Sequence, residues 1–341
     1  MNKPKDEPGL QTILSHCGRN LEASGGYVNV PPYEGSTILH DDMEDLFGRV
    51  DNHLYGDGTA QTYGTDGGPT HEAFYDAMNK LEGGAGTWAF STGLAGCTIP
   101  MMAFLKTGDH MLVTDSVYGP TRQFCEVLLK NFGVEAEFYE PTIGAGIEKL
   151  IRPNTRLIYM ESPGTHTFEM QDVPAIAAVA RKYNIVTMID NTYATPLNFQ
   201  PLKHGVDVVV HSATKYICGH SDVLMSTVTC NEKNWKQVRD VCKMTGQYAS
   251  AQSVYLGLRG LRTLKVRLDA VGVHTRKVVD WLLKREEVKK VIWPAYEKDP
   301  GYRIYKRDYS GPIGLFAFQF QDQYTLSLIH ISEPTRQEAI S

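Results

Sequence analysis

Apolar residues recur along this chain with two different periods, and the change of period marks out its elements. Residues 69–84, "PTHEAFYDAMNKLEGG", set Phe74, Met78 and Leu81 three to four apart, which places them on one face of a helix. Thr70 stands where a cap is expected and Gly83 where a helix stops. Further along, short apolar runs alternate with amphipathic stretches. "RLIYME" (156–161) is one run, "DVPAIAAVARKY" opens on an Asp cap with Pro174 in its first turn, "IVTMID" (185–190) is a second run and "VDVVVH" a third. Runs of this kind joined by short connections predict an α/β fold with a mostly parallel sheet and helices on both faces.

The flanks read differently. Residues 1–68 are rich in Gly, Pro, Asp and Tyr and lack a period, which suits an extended arm. From about residue 250 a long, mostly helical passage, "QSVYLGLRGLRTLKVRLDAVGVHTRKVVDWLLKR", leads to "KKVIWPA" and "GLFAFQF", which read as strands with unpaired edges. The expected division is an arm over 1–68, a large α/β domain over 69–262 and part of a small α+β domain over 263–325. No internal repeat is visible.

Composition narrows the partners. At 341 residues and 42% hydrophobic, the chain can bury a large core. A formal net charge of −5 without a long basic run disfavours nucleic acid and anionic membrane, leaving a small-molecule substrate as the expected partner. The start, "MNKPKDEPGLQ", has no apolar core, and no segment offers 18 uninterrupted apolar residues, so a cytoplasmic protein is expected. The six cysteines form no C-x-x-C and are expected to be buried thiols. The histidines show neither H-x3-H nor H-E-x-x-H, so no metal site is expected.

Candidate chemistry centres on "VDVVVHSATKYICGHSD" (206–222), where an apolar run stops at small hydroxylated residues surrounding Lys215. A lysine just past a strand is commonly only a solvated loop residue. Ser212-Ala213-Thr214-Lys215 also matches the S-x-x-K of serine acyl-enzymes, but Lys106-Thr107-Gly108 precedes it, the reverse of the required order. Asp190, twenty-five residues earlier, also ends an apolar run. Ligands of open parallel sheets lie beyond the carboxyl ends of the strands, so both residues can share one crevice.

"GGAGTWAFSTGLAG" (83–96) loosely fits the dinucleotide pattern G-x-G-x-x-A but follows a helix rather than a strand. Its Ser91-Thr92-Gly93-Leu94-Ala95 is the better phosphate cradle, because a glycine at a helix start lets backbone N–H groups approach an anion. Pyridoxal phosphate needs a lysine for its aldehyde, a carboxylate for its ring nitrogen, an aromatic face, and donors for its phosphate. Lys215, Asp190, Tyr118, and the group Gly93, Leu94, Ser212 and Thr214 supply all four kinds.

"YGTDGGPTHEAF", "KLEGGAG", "ESPG", "DVPAI", "MIDNTYA", "SATKY.CGHSD", "RGLRTL.VRL" and "KRDYSG" follow one another over roughly residues 10–324 in an order and spacing that resemble the Cys/Met-metabolism family of pyridoxal-phosphate enzymes. The resemblance implies the fold-type I, transferase-like architecture, with pyridoxal 5'-phosphate held as a Schiff base on Lys215. Asp190 would keep the ring nitrogen protonated and Tyr118 would stack on the ring, while Gly93, Leu94, Ser212 and Thr214 hold the phosphate. Tyr63 would reach into the site of a neighbouring subunit, making a homodimer or homotetramer, and Lys215, Tyr118 and Tyr63 would work at the reacting atoms.

"ESPGTHTFEMQDVPAI" is similar to the branch that cleaves cystathionine by beta-elimination to homocysteine, pyruvate and ammonia in methionine biosynthesis. Gamma-synthases and gamma-lyases on the same fold, and a chain that binds the cofactor without turning over, remain open alternatives. Two positions depart from the family pattern. Thr65 stands where the family often has a phosphate-pairing arginine, so weaker cofactor retention is expected. "LSLIHISEPTR" (326–336) reads as a translated sequencing adapter and "QEAIS" as index-derived, so the native reading is expected to stop near Tyr324, before the domain that carries the family's substrate-carboxylate arginine.

Overall fold

The structure is a computed structural model, and it describes residues 9–22, 24–56, 60–311 and 314–324. The proposed adapter tail, 326–341, lies outside the described residues. Seven strands form the main sheet: β1 Gly86–Phe90, β2 His110–Thr114, β3 Glu135–Tyr139, β4 Thr155–Glu161, β5 Val186–Asp190, β6 Val208–His211 and β7 Ser226–Cys230. Their spatial order is β1-β7-β6-β5-β4-β2-β3. Only β7 runs against its neighbours, β1 and β6. The carboxyl ends of the other six therefore lie along one edge.

Alternation along the strands sends side chains to two apolar layers. Phe90, Met111, Val113, Leu157, Tyr159, Met188 and Val210 face one side, covered by Cys97 and Met101 and by Val238 and Cys242 of the helix Glu232–Met244. Leu112, Ile158, Met160, Ile189 and Val209 face the other, against Ile176, Ala177 and Ala180 of the helix Val173–Lys182. Helices on both faces are what the near-continuous apolar runs predict, since such strands must be buried on both sides.

The predicted helix over residues 69–84 is Pro69–Glu82 and ends on Gly83 at φ 74°, the left-handed conformation that stops helices. Its expected cap is wrong. Gly68 holds the N-cap position, whereas the Thr70 hydroxyl donates to Pro31 O (2.7 Å) and accepts from Tyr33 N (2.9 Å), pinning the arm. Asp172 does cap its helix, accepting from Ala175 N at 3.2 Å.

The described residues between 9 and 68 run mostly without regular structure apart from two helices, Leu10–His16 and Met43–Tyr55, and a short turn. Leu14, Cys17 and Val30 bury into the cluster around Phe74 and Leu258. The helical passage after residue 250 consists of Ala251–Leu261 and Leu264–Leu282. Beyond it, β8 Val288–Ile292 and β9 Ala317–Phe320, the two runs expected as strands, pair antiparallel with each other. They form a separate two-stranded sheet beside a small core of Val279, Leu282, Val291, Trp293 and Ala295.

Candidate functional site

The predicted site residues gather along the carboxyl edge of the main sheet, and strand order explains how. Ser212 follows β6, Asp190 ends β5 and Glu161 ends β4, three strands that are consecutive neighbours. In β4 and β5, Glu161 and Asp190 fall on the same side as Tyr159 and Met188, because the side-chain period is two. The helix Gly93–Thr98, which follows β1, covers that side with Cys97.

Asp190 is held from two directions. Its Oδ1 accepts from Thr192 N (2.9 Å) and its Oδ2 from Cys97 Sγ (3.5 Å). The Thr192 hydroxyl accepts in turn from Ser212 N (2.7 Å), tying the loop after β5 to the loop after β6. Glu161, directly across from Asp190 in register, accepts Tyr118 N at 2.8 Å on Oε2 and the Thr165 hydroxyl on Oε1. Both carboxyls are buried, and no Lys, Arg or His forms an ion pair with either among the described residues. Desolvation and the adjacent Asp190 charge push the Glu161 carboxyl up to about 8. Burial, reinforced by the same carboxylates, also holds the Cys97 thiol well above its ordinary range.

The candidate phosphate cradle lies at the start of the helix that follows β1. Thr92 caps the helix Gly93–Thr98 by accepting from Ala95 N (3.2 Å), and the Ser226 hydroxyl fixes Thr92 O (2.7 Å). The first N–H groups of a helix have no partner within it, so those of Gly93 and Leu94 are available. A methyl group built on Gly93 would lie 2.6 Å from Ser212 Oγ, so this glycine is what keeps the gap between the helix start and the serine open. Gly93→Ala is accordingly expected to push the Ser212 hydroxyl aside while leaving the fold intact, weakening phosphate-dependent cofactor binding by about tenfold, the loss of roughly one good hydrogen bond. Titration of cofactor absorbance against protein concentration checks it.

Lys215 lies three residues past Ser212 in a turn closed by Lys215 N donating to Ser212 O at 3.0 Å. Its side chain is exposed, and its amine makes no hydrogen bond or ion pair among the described residues. Tyr118 starts the helix Gly119–Gln123 after β2, with its ring 44% exposed. Thr214 is half-buried and bonded within the loop's own structure. Its hydroxyl donates to Met225 O (3.2 Å) and accepts from Met225 N (2.9 Å), so its one proton is spent within the loop. Tyr63 and Thr65 sit on the arm at the turn Gly64–Asp66, where Tyr63 bridges to Thr37; no hydrogen bond or ring contact links Tyr63 to the cluster among the described residues.

Glu161, Thr192 and Cys97 were not singled out from the sequence. Glu161 ends the run "RLIYME" as Asp190 ends "IVTMID", so the reasoning that selects one carboxylate could have selected both. Nothing local marks Cys97 or Thr192, because each matters through a residue distant in sequence.

This arrangement fits pyridoxal phosphate on three counts: a buried carboxylate pair without a cation, an anion cradle kept open by Gly93, and an unpaired amine on the same edge. Among the described residues no cluster suited to a metal ion occurs, and no helix is long and apolar enough to cross a membrane.

Residues 11–335 match the family of Cys/Met metabolism PLP-dependent enzymes. The chain is 39% identical to the cystathionine beta-lyase of Haemophilus influenzae over 318 residues, covering 93% of this chain and 80% of that protein. It is 39% identical to cystathionine beta-lyase MetC of Escherichia coli over 311 residues, covering 91% and 78%. Among solved structures, cystathionine gamma-lyase from Lactobacillus plantarum, complexed with L-serine, superposes with a TM-score of 0.85 at 29% identity over 92% of this chain and 79% of that one.

Proposed function

The chain belongs to the Cys/Met metabolism family of PLP-dependent enzymes, and from that premise we propose that it is a carbon–sulfur lyase converting cystathionine and water to homocysteine, pyruvate and ammonia. Its cofactor is pyridoxal 5'-phosphate. The observation that carries the reading is the convergence of Lys215, Asp190, Ser212 and Gly93 on one sheet edge, in a chain 39% identical to cystathionine beta-lyases.

Bound pyridoxal phosphate supplies an aldehyde that captures the substrate amine and an electron-withdrawing ring that acidifies the α hydrogen. The protein's part is to hold that group and to move protons. Asp190, oriented by Thr192 N and Cys97 Sγ, would present its carboxylate to the ring nitrogen. Gly93 and Leu94 N–H groups and the Ser212 hydroxyl would take the phosphate, and Tyr118 would cover the ring. Lys215 Nζ would hold the aldehyde at rest and would take the proton from the substrate Cα. The electron pair left on Cα would expel the homocysteine thiolate from the β carbon, and water would release the remainder as pyruvate and ammonia. With the Thr214 proton committed to Met225 O, Ser212 carries most of the side-chain donation to the phosphate.

Residues 69–262 serve as the cofactor domain, 263–325 as part of the small domain, and 1–68 as an arm toward another subunit of a homodimer or homotetramer. Supporting the last point, the helix Met43–Tyr55 leaves Phe47 60% and Tyr55 80% exposed, and Leu39 beside it is 89% exposed. Phe47→Asp combined with Leu39→Asp is expected to shift the assembly to smaller species in light scattering, because a charge within an apolar interface is left unpaired. Six buried free thiols agree with a reducing, cytoplasmic setting.

Incubation of purified protein with pyridoxal phosphate and cystathionine tests the activity. Pyruvate with an equal amount of free thiol is expected. 2-Oxobutyrate would indicate gamma-elimination, and cofactor absorbance without either keto acid would indicate a non-catalytic binder.

A further inference from the structure

We propose that Glu161 is a positioning residue that locks the ring-covering Tyr118 and the ring acid Asp190 into one geometry around the cofactor. This rests on the reading of the site as a pyridoxal phosphate site and deepens it. Glu161 is the only side chain described here that bonds to one of these two segments while standing in register with the other. Its Oε2 accepts Tyr118 N at 2.8 Å, and its backbone is the Cα partner of Asp190 across the β4–β5 pair. The loop after β4 reinforces the link: Thr165 donates its hydroxyl to Glu161 Oε1 and its N–H to Ser116 O at 2.8 Å, two residues before Tyr118. Two loops, after β2 and β4, are thereby joined through one buried carboxyl that stands beside the last residue of β5.

The surroundings suit a role exerted through neighbours. Glu161 is 8% exposed, so its bond to Tyr118 N is sheltered from water and a lost acceptor would leave a partly buried N–H unpaired. The titratable groups facing it are Asp190 from β5, Tyr159 from its own strand and Cys97 from the helix Gly93–Thr98, with Thr165 and Tyr118 N from the loops. None is a cation. A positively charged ring nitrogen at Asp190 would be the first cation near Glu161 and would favour its ionised form. Below about 8 Glu161 is protonated in the free protein and adds no charge; above it, its charge joins that of Asp190. Wild-type affinity for the cofactor should therefore rise with pH relative to a variant that cannot ionise.

The experiment compares wild type, E161Q and E161A by three readouts: the cofactor dissociation constant, the circular dichroism of the bound cofactor, and the dissociation constant between pH 7 and 9. E161Q retains an acceptor for Tyr118 N and is expected to bind within about threefold of wild type at pH 7 with normal dichroism, but without the relative gain in affinity toward pH 9. E161A is expected to bind about tenfold or more weakly, the loss of one sheltered hydrogen bond to a charged or buried group, with reduced dichroism. Thermal melting identifies an unfolded E161A, in which case the flat pH profile of E161Q decides. Binding, dichroism and pH profile unchanged in both variants would overturn the inference alone. Wild-type protein that gives no signal with pyridoxal phosphate would overturn the cofactor site and this inference with it.

Discussion

Lys215→Ala loses pyruvate formation from cystathionine by about four orders of magnitude or more, and reduction with borohydride no longer leaves a pyridoxyl group on the chain; that is the largest effect expected of any single change. A positioned general base alone contributes roughly 10²–10⁴-fold, and Lys215 has a second task as the covalent anchor of the aldehyde. Nothing in the structure competes for its amine, which makes no hydrogen bond or ion pair among the described residues. Nor does the substitution threaten the fold, because the turn holding Lys215 is closed by its main-chain bond to Ser212 O and its side chain is exposed. Peptide mass spectrometry of the reduced wild-type protein should find the pyridoxyl group on Lys215, and its appearance on another lysine would move the site elsewhere.

Asp190→Asn is the second. The amide can keep the contact with Thr192 N made by Oδ1, so the cofactor should remain bound. Without a carboxylate, the ring nitrogen loses the charge that keeps it protonated, and removal of the Cα proton should slow by about a hundredfold or more, of the order lost when a preorganised charge in a buried site is removed. The variant also removes one of the causes that raise Glu161, leaving desolvation as the cause acting upward. Glu161 in the D190N protein should therefore ionise at lower pH than in wild type. Rapid-mixing measurement of α-deuterium isotope effects on pyruvate formation isolates the proton-transfer step. Rates near wild type would mean that Glu161, across the β4–β5 pair, can take over the ring nitrogen.

Much of the scaffold was written in local pattern. Residues 156–161, 185–190 and 206–211 could be assigned as strands because their apolar runs are short and bounded, and the structure ends β4, β5 and β6 on Glu161, Asp190 and His211. Lys215 stood out by the small hydroxylated residues around it and Asp190 by ending an apolar run, two kinds of group that pyridoxal phosphate needs together. The long helical passage after residue 250 was legible too, although its first helix packs into the cluster around Phe74.

What the sequence by itself determined was the segments of β4, β5 and β6, the helix after Gly68 and the residues at those strand ends, because these depend on periodicity within a few residues. Sheet order and register depend on packing between segments far apart in the chain, and these the tertiary structure alone decided. They set β7 antiparallel between β1 and β6 and brought Glu161 opposite Asp190. They turned Thr70 from a helix cap into a clasp for the arm, and they committed the Thr214 hydroxyl to Met225 rather than leaving it free. In each case a polar group forms the hydrogen bond that the fold brings within reach, since a buried donor or acceptor left without one costs more than any local preference returns.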